Sequence, residues 1–336
     1  MRNLKSFKML AAAAGVATVA ALGWSAPAQA QIVKVDGSST VYPITEAVAE
    51  EFQKMKRGAV KVTVGISGTG GGFKKFCRGE TDISDASRPI TKKEMEDCRQ
   101  AGIAYLEMPV AYDALTVVIH PRNTWAKSMT VTELKKIWEP AAQGKITKWS
   151  QVNPAWPDAP LKLFGPGADS GTFEYFTEAV TGKSKSSRGD FTASEDDNVL
   201  VQGVSRDVNG LGYFGYAYYI ENKDRLAAVS VMSPAGKAVS PSMETVVNGS
   251  YQPLSRPIFI YINAKSAQKP EVKEFVEYYN KHAEKLVKEV KYVPLPGKAY
   301  TYNQETLGKM RLGTKFGGEN KVGLTVEQLM QMEAKL

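Results

Sequence analysis

Three stretches of the chain share one order of apolar and polar positions. In "IVKVDGSSTVYPITEAVAEEFQKM", Ile32, Val33 and Val35 read as a strand and Gly37-Ser38-Ser39-Thr40 as a turn. Ile44, Ala47, Val48, Glu51 and Phe52 then recur at helical spacing, apolar except for Glu51. Pro43 suits the first helical turn, where its missing N–H would have no partner anyway. "VKVTVGISGTGGGFKKFCRG" predicts a strand over 60–66, a turn over Ser67-Gly68-Thr69-Gly70-Gly71-Gly72, and a helix presenting Phe73 and Phe76. "LKLFGPGADSGTFEYFTEAV" predicts a short strand, a Gly/Pro turn, and a helix with Phe173, Phe176 and Val180 on one face. The likeness is local and has no fixed period, so no solenoid is implied. Strands alternating with helices predict an α/β protein.

Elsewhere, Thr130 and Glu133 form a capping box at the head of a short helix. "DNVLVQGVSRDVNGLGYFGYAYYI" reads as a helix, a Gly turn and an aromatic-rich strand. Its stripe Tyr213, Phe214, Tyr216, Tyr218 and Tyr219 is read as core and edge packing. "KPEVKEFVEYYNKHAEKLVKEV" is an amphipathic helix with a solvated Lys/Glu face. Two long apolar runs punctuated by Pro, "YLEMPVAYDALTVVIHP" and "YQPLSRPIFIYINAK", bracket the middle of the chain. Two such crossings are what a two-lobed protein needs if the chain leaves one lobe and later returns. The expected lobes are 31–115 plus 254–336, and 116–253.

The first 30 residues change the picture of where the protein works. Arg2, Lys5 and Lys8 precede an Ala-rich apolar run, and Pro27-Ala28-Gln29-Ala30 follows it. That order predicts a secretory signal peptide cleaved after Ala30 and an exported mature chain. The run is short for a bilayer span. Residues 1–30 carry three basic and no acidic groups, so the formal charge of +8 falls to +5. This mild excess favours a small anion. It lacks the dense basic, aromatic-interleaved patch of a nucleic-acid binder. In an exported chain the only two cysteines, Cys77 and Cys98, are expected to pair. The bridge would enclose the "DISDASRPI" loop.

The three turns carry the candidate chemistry. The first N–H groups of a helix lack internal partners, and the helix dipole adds positive charge there. Glycine permits close backbone approach, and Ser and Thr add hydroxyl donors. At the carboxyl ends of strands, three such starts would face one crevice and hold a small tetrahedral oxyanion. Enzyme readings fit less well. "GTGGGFKK" places Phe73 where a P-loop needs its second glycine. Ser170 as a nucleophile needs a base, and the only histidines are His120, ending an apolar strand, and His282, in the Lys-rich helix. No metal-ligand spacing is present. Ser170 is therefore expected to hold a ligand, not to attack one.

Together, "VDGSSTVYPITEAVAEEF", "GISGTGGGFKKF", "DISDASRPI", "GPGADSGTFEYF" and "GLGYFGYAYY" resemble the exported phosphate-binding proteins of bacterial ABC phosphate transporters (PstS-type, near the SphX-like branch). The resemblance runs from about residue 31 to 265. It implies the type II periplasmic binding-protein fold, with two lobes closing on one phosphate and a membrane permease as partner. No cofactor and a monomer are the corresponding expectations.

By the same resemblance the phosphate ligands fall on Ser39, Thr40 and Val41, on Ser67, Gly68, Thr69 and Gly70, and on Ser170, Gly171 and Thr172. The family's usual Arg before the third turn is missing, since Gly167 or a neighbour stands there. Its usual acceptor Asp in the "DISDASRPI" loop is replaced by Ser87. Arg88 is the expected guanidinium, with Arg188 as a further cation. Asp169, Asp85 and Asp197 are the candidate proton acceptors. Alternatives left open are another oxyanion such as sulfate or molybdate, a phosphate sensor, and a Ser170 hydrolase or phosphatase.

Overall fold

The structure is a computed structural model that describes residues 31–336 except 169, 195, 234–235 and 320–324. Residues 1–30, where the signal peptide is expected, lie outside the described residues. The chain begins β1 (Gln31–Gly37), α1 (Tyr42–Met55), β2 (Val60–Ile66), α2 (Gly68–Cys77), β3 (Ile83–Ala86), α3 (Lys92–Gln100) and β4 (Tyr105–Ile119). The middle holds β5 (Ser128–Met129), α4 (Val131–Trp138), α5 (Trp149–Val152), β6 (Lys162–Gly165), α6 (Gly171–Thr181), β7 (Thr192–Ala193), α7 (Asp197–Arg206), β8 (Gly210–Gly215) and α8 (Tyr216–Glu221). Short strands β9 (Ala227–Ala228), β10 (Ser230–Met232) and β11 (Ala238–Val239) and helix α9 (Met243–Val247) lead to β12 (Ser255–Asn263) and α10 (Pro270–Glu289).

The main sheet runs β2-β1-β3-β12-β4-β8-β6-β7. β1 is parallel to β2 and β3, and β6 is parallel to β8. Both sets are strand–helix–strand units, which is why the periodicity was readable from single segments. The two long apolar runs are β4 and β12, and they pair with each other antiparallel. Along β4 the partner changes: Tyr105–Ala114 pairs with β12 and Leu115–Ile119 pairs with β8. Nearly all of β4 is buried, so its continuous apolar run reflects cover on both faces. Among the described residues no helix is long and apolar enough to cross a membrane.

Most expected elements form where their periodicity places them. Ile44, Val48 and Phe52 of α1, Phe73 and Phe76 of α2, and Phe173, Phe176 and Val180 of α6 are buried. Phe176 stacks on Tyr213 at 3.6 Å, anchoring α6 on β8. Thr130 and Glu133 make the capping box reciprocally. Two expectations shift. The glycine run 68–72 belongs to the first turns of α2, not to a preceding turn. Gly72 has a packing reason: a Cβ there would meet Gly37 Cα at 2.6 Å, so only glycine lets α2 lie on β1. The aromatic strand stops at Gly215, and Tyr216, Tyr218 and Tyr219 belong to the short helix α8, half-buried.

Cys77 at the end of α2 and Cys98 in α3 form a disulfide across the 83–90 loop. Both are buried. Replacing both (Cys77→Ala with Cys98→Ala) is expected to lower the unfolding free energy by about 3 kcal/mol, the chain-entropy value for a loop of this length. Urea unfolding at neutral pH measures it, and an unchanged midpoint would mean the loop is held by packing alone.

Candidate functional site

Strand order brings the first two turns together. Gly37 has φ +148°, and a Cβ on it would sit 2.2 Å from the Asp85 carbonyl oxygen, so β1 and β3 touch through backbone. Ser38 N–H donates to that carbonyl at 3.0 Å, and Ser67 N–H donates to the Gly37 carbonyl at 3.1 Å. The Ser38 hydroxyl accepts from Thr40 N–H at 3.2 Å. Neither α1 nor α2 has a side-chain cap, although Ser and Thr crowd both starts. In the second turn, the Ser67 hydroxyl donates to the Asp36 carboxylate, which also takes Lys75 Nζ at 2.7 Å. Thr69 and Ser87 hydroxyls lie 3.0 Å apart, and Ser87 N–H donates to Thr69 Oγ1 at 3.1 Å.

The third turn meets the first from across the sheet. Ser170 caps α6 by accepting Thr172 N–H at 3.2 Å. A Cβ on Gly171 would lie 2.2 Å from Thr40 Oγ1, 2.9 Å from Thr40 N and 3.0 Å from Ser39 Oγ. Val41 and Gly171 are buried, and Ser39, Gly68, Thr69, Gly70, Ser170 and Thr172 are half-buried. The structure thus brings two helix N-termini, α1 and α6, into contact, with the start of α2 beside the first. Asp169 lies outside the described residues.

The charged candidates divide. Arg88 sits by the second turn, its Nη2 3.7 Å from where a Gly70 Cβ would be. Its fork is already paired: Nη1 and Nη2 donate to the two Glu94 carboxylate oxygens at 2.9 and 2.8 Å, and Nη1 also to Pro89 O at 3.1 Å. Glu94 is there because it closes the capping box of α3 on Thr91. Of the five guanidinium donors, these bonds leave Nε–H and one Nη2–H on the open edge. Arg188 is buried inside the fold: it pairs with Asp190 through Nε and Nη2 and donates Nη1 to Ile137 and Ile146 carbonyls, so it serves structure.

The acidic candidates are also separated. Asp85 is fully buried, but its side chain leaves the turns. β-strand alternation sends Ser84 toward α2 and Asp85 to the other face, against α1 and α10. There Thr45 donates to Asp85 Oδ1 at 3.1 Å and in turn receives the Tyr279 hydroxyl proton at 3.2 Å. Oδ2 has no partner among the described residues. Burial, with Asp36 nearby, pushes this carboxyl up to about 8. Asp197 instead lines a small pocket with Thr172, Asp113, Tyr216 and Lys291. His120 accepts Arg122 N–H, and His282 lies against Tyr278 on α10. Among the described residues no group of three His, Cys, Asp or Glu could hold a metal.

Sequence reasoning missed one pair beside this site. Asp113 and Arg256 stand directly opposite each other on β4 and β12. Arg256 Cζ lies 3.6 Å over the ring of Tyr175, and its nitrogens reach Asp113 at 3.6 Å and Glu178 at 3.7 Å. The Tyr175 hydroxyl donates to Pro253 O at 2.7 Å. The available signal was charge inside the long apolar runs, Glu107 and Asp113 in the first and Arg256 in the second, which is costly unless paired.

The comparisons bear on these residues together. A family model of the PBP superfamily domain matches residues 24–281. Protein SphX of Synechococcus elongatus is 54% identical over 92% of this chain and 90% of its own length. Phosphate-binding protein PstS of Staphylococcus saprophyticus is 40% identical, with 82% of this chain and 84% of that one covered. A crystal structure of a possible phosphate binding protein from Planctomyces limnophilus is 49% identical, with a TM-score of 0.78, covering 83% of this chain and 98% of that chain.

Proposed function

This chain belongs to the PBP superfamily, and we propose that it binds inorganic phosphate outside the cytoplasm and delivers it to an ABC phosphate importer. The observation that carries the reading is the contact of Gly171 with Ser39 and Thr40. That contact supports a site in which two helix N-termini, with their dipoles and N–H groups, address one tetrahedral anion. The names of the relatives, PstS and a possible phosphate binding protein among them, supply the identity of that anion. Ser170 accepts the Thr172 N–H as the cap of α6, which favours binding over turnover.

In this reading the lobes are 31–115 plus 254–336, and 116–253. The change of partner along β4, and the pairing of β4 with β12, support crossings near those boundaries. The leader ends at Ala30, the mature protein is a periplasmic monomer, and a membrane permease receives the phosphate. The ligands are Ser39, Thr40, Val41, Ser67, Gly68, Thr69, Gly70, Ser87, Ser170, Gly171 and Thr172, with Asp169 at the third turn. Arg88 contributes through the open edge of its fork, the other edge being held by Glu94.

Calorimetric titration of ligand-stripped mature protein with phosphate, with sulfate as competitor, tests the reading. One-to-one binding that excess sulfate does not displace is expected. Sulfate binding without phosphate binding would move the assignment to another oxyanion. Thr172→Val keeps the shape and removes one donor, so phosphate affinity is expected to fall about 10-fold, the loss of roughly one hydrogen bond to a charged group. Unchanged affinity would take Thr172 out of the ligand set.

A further inference from the structure

The geometry points to Arg256 as a guanidinium that contacts the bound anion, held from behind by Asp113. This inference rests on the phosphate reading and adds a residue to it.

The other cations near the turns are already paired. Lys75 is paired with Asp36, Arg88 with Glu94, and Arg188 with Asp190 and two carbonyls. Arg256 differs. Its side chain is only 13% exposed, yet its contacts to Asp113 and Glu178 are 3.6 and 3.7 Å, beyond hydrogen-bond length. Its Nε and Asp113 Oδ2 are both buried and face each other at 3.6 Å, and neither has a closer partner among the described residues. A buried guanidinium held loosely in this way is costly unless a further acceptor completes it.

Its position says which acceptor. Thr172, Tyr175 and Glu178 follow one another at three-residue spacing, so they form one stripe of α6. Arg256 lies over the ring of the middle member of that stripe and near the last. Thr172, the first member, stands at the α6 N-terminus one helical turn away, and with Asp113 it lines one pocket of about 70 Å³. A long side chain can cover that turn, and a planar fork suits two oxygens of a tetrahedral dianion. The Tyr175 ring supports the guanidinium, and its own hydroxyl donates to Pro253 O. Burial pushes the Asp113 carboxyl up against the opposing pull of Arg256.

The test uses ligand-stripped mature protein and inorganic phosphate. Arg256→Gln is expected to weaken phosphate binding by at least about 100-fold, and Arg256→Lys to restore only part of it, because the point charge lacks the fork. Thermal midpoints of the ligand-free variants report whether each folds. A structural role alone could also weaken binding, so the second readout is the 15N resonance of the Arg256 side-chain Nε–H in the otherwise unaltered protein, assigned by its loss in Arg256→Lys. It is expected to shift on phosphate addition. A resonance that stays put while phosphate binds, or an Arg256→Gln that binds as tightly as the parent, overturns the inference and leaves the phosphate reading intact. A parent protein that binds no phosphate overturns both.

Discussion

Phosphate affinity is expected to fall by about 1,000-fold in Gly171→Val, roughly 4 kcal/mol, while the ligand-free protein keeps its thermal midpoint within a few degrees. The argument is steric. A Cβ on Gly171 alone would lie 2.2 Å from Thr40 Oγ1 and 2.9 Å from Thr40 N, and backbone cannot swing away as a side-chain tip can. The first and third turns would then be wedged apart, and an anion could touch one helix N-terminus but not both. Gly171 sits at the first helical position of α6, and no left-handed φ is recorded for it, so valine does not break the helix. Calorimetry and a thermal scan together read the outcome. Parent-like affinity would mean that the two turns do not close on the ligand, and the central observation behind the proposed function would fall with it.

Stability above neutral pH is expected to rise in Asp85→Asn, by several kcal/mol at pH 9. In the folded protein burial raises the Asp85 carboxyl to about 8, well above its unfolded value. A raised folded pKa gives stability that is fully present below the unfolded pKa and lost as pH climbs toward the folded one. The parent therefore pays increasingly between about pH 4 and pH 8 to keep this carboxyl buried. Asparagine mimics the neutral acid, still accepts the Thr45 hydroxyl proton through its oxygen, and does not titrate. Its advantage should be small at pH 4, grow through pH 8 and level off beyond. Urea unfolding of both proteins at pH 4, 6, 8 and 9 gives the slope. A constant difference across that range would show that Asp85 has an ordinary carboxylate pKa in the fold.

These two residues also show how far the sequence could be read. "LKLFGPGADSGTFEYFTEAV" was readable as a strand, a turn and a helix, and α6 does begin at Gly171, with Ser170 as its cap, because these are contacts between near neighbours. Which other turn Gly171 would touch was not visible, because that depends on β1 and β6 being set in one sheet through β3, β12, β4 and β8. "DISDASRPI" announced acids and an arginine near a turn, but the direction of each side chain was open. The pleat sends Asp85 toward Thr45, and the capping box of α3 gives the Arg88 fork a carboxylate. Arg188, the further candidate cation, is locked on Asp190 and two carbonyls.

By itself the sequence determined the local units: three strand–turn–helix segments rich in hydroxyls, a cysteine pair, two long apolar crossings, and the family they resemble. The strand–turn–helix segments rest on a period or a composition within about twenty residues, where near neighbours settle the energetics, and the resemblance rests on several such segments taken together. Only the tertiary structure decided which starts meet, which cations remain open and where Asp113 and Arg256 face each other, because those pairings join segments far apart in the chain and are fixed by strand order and register.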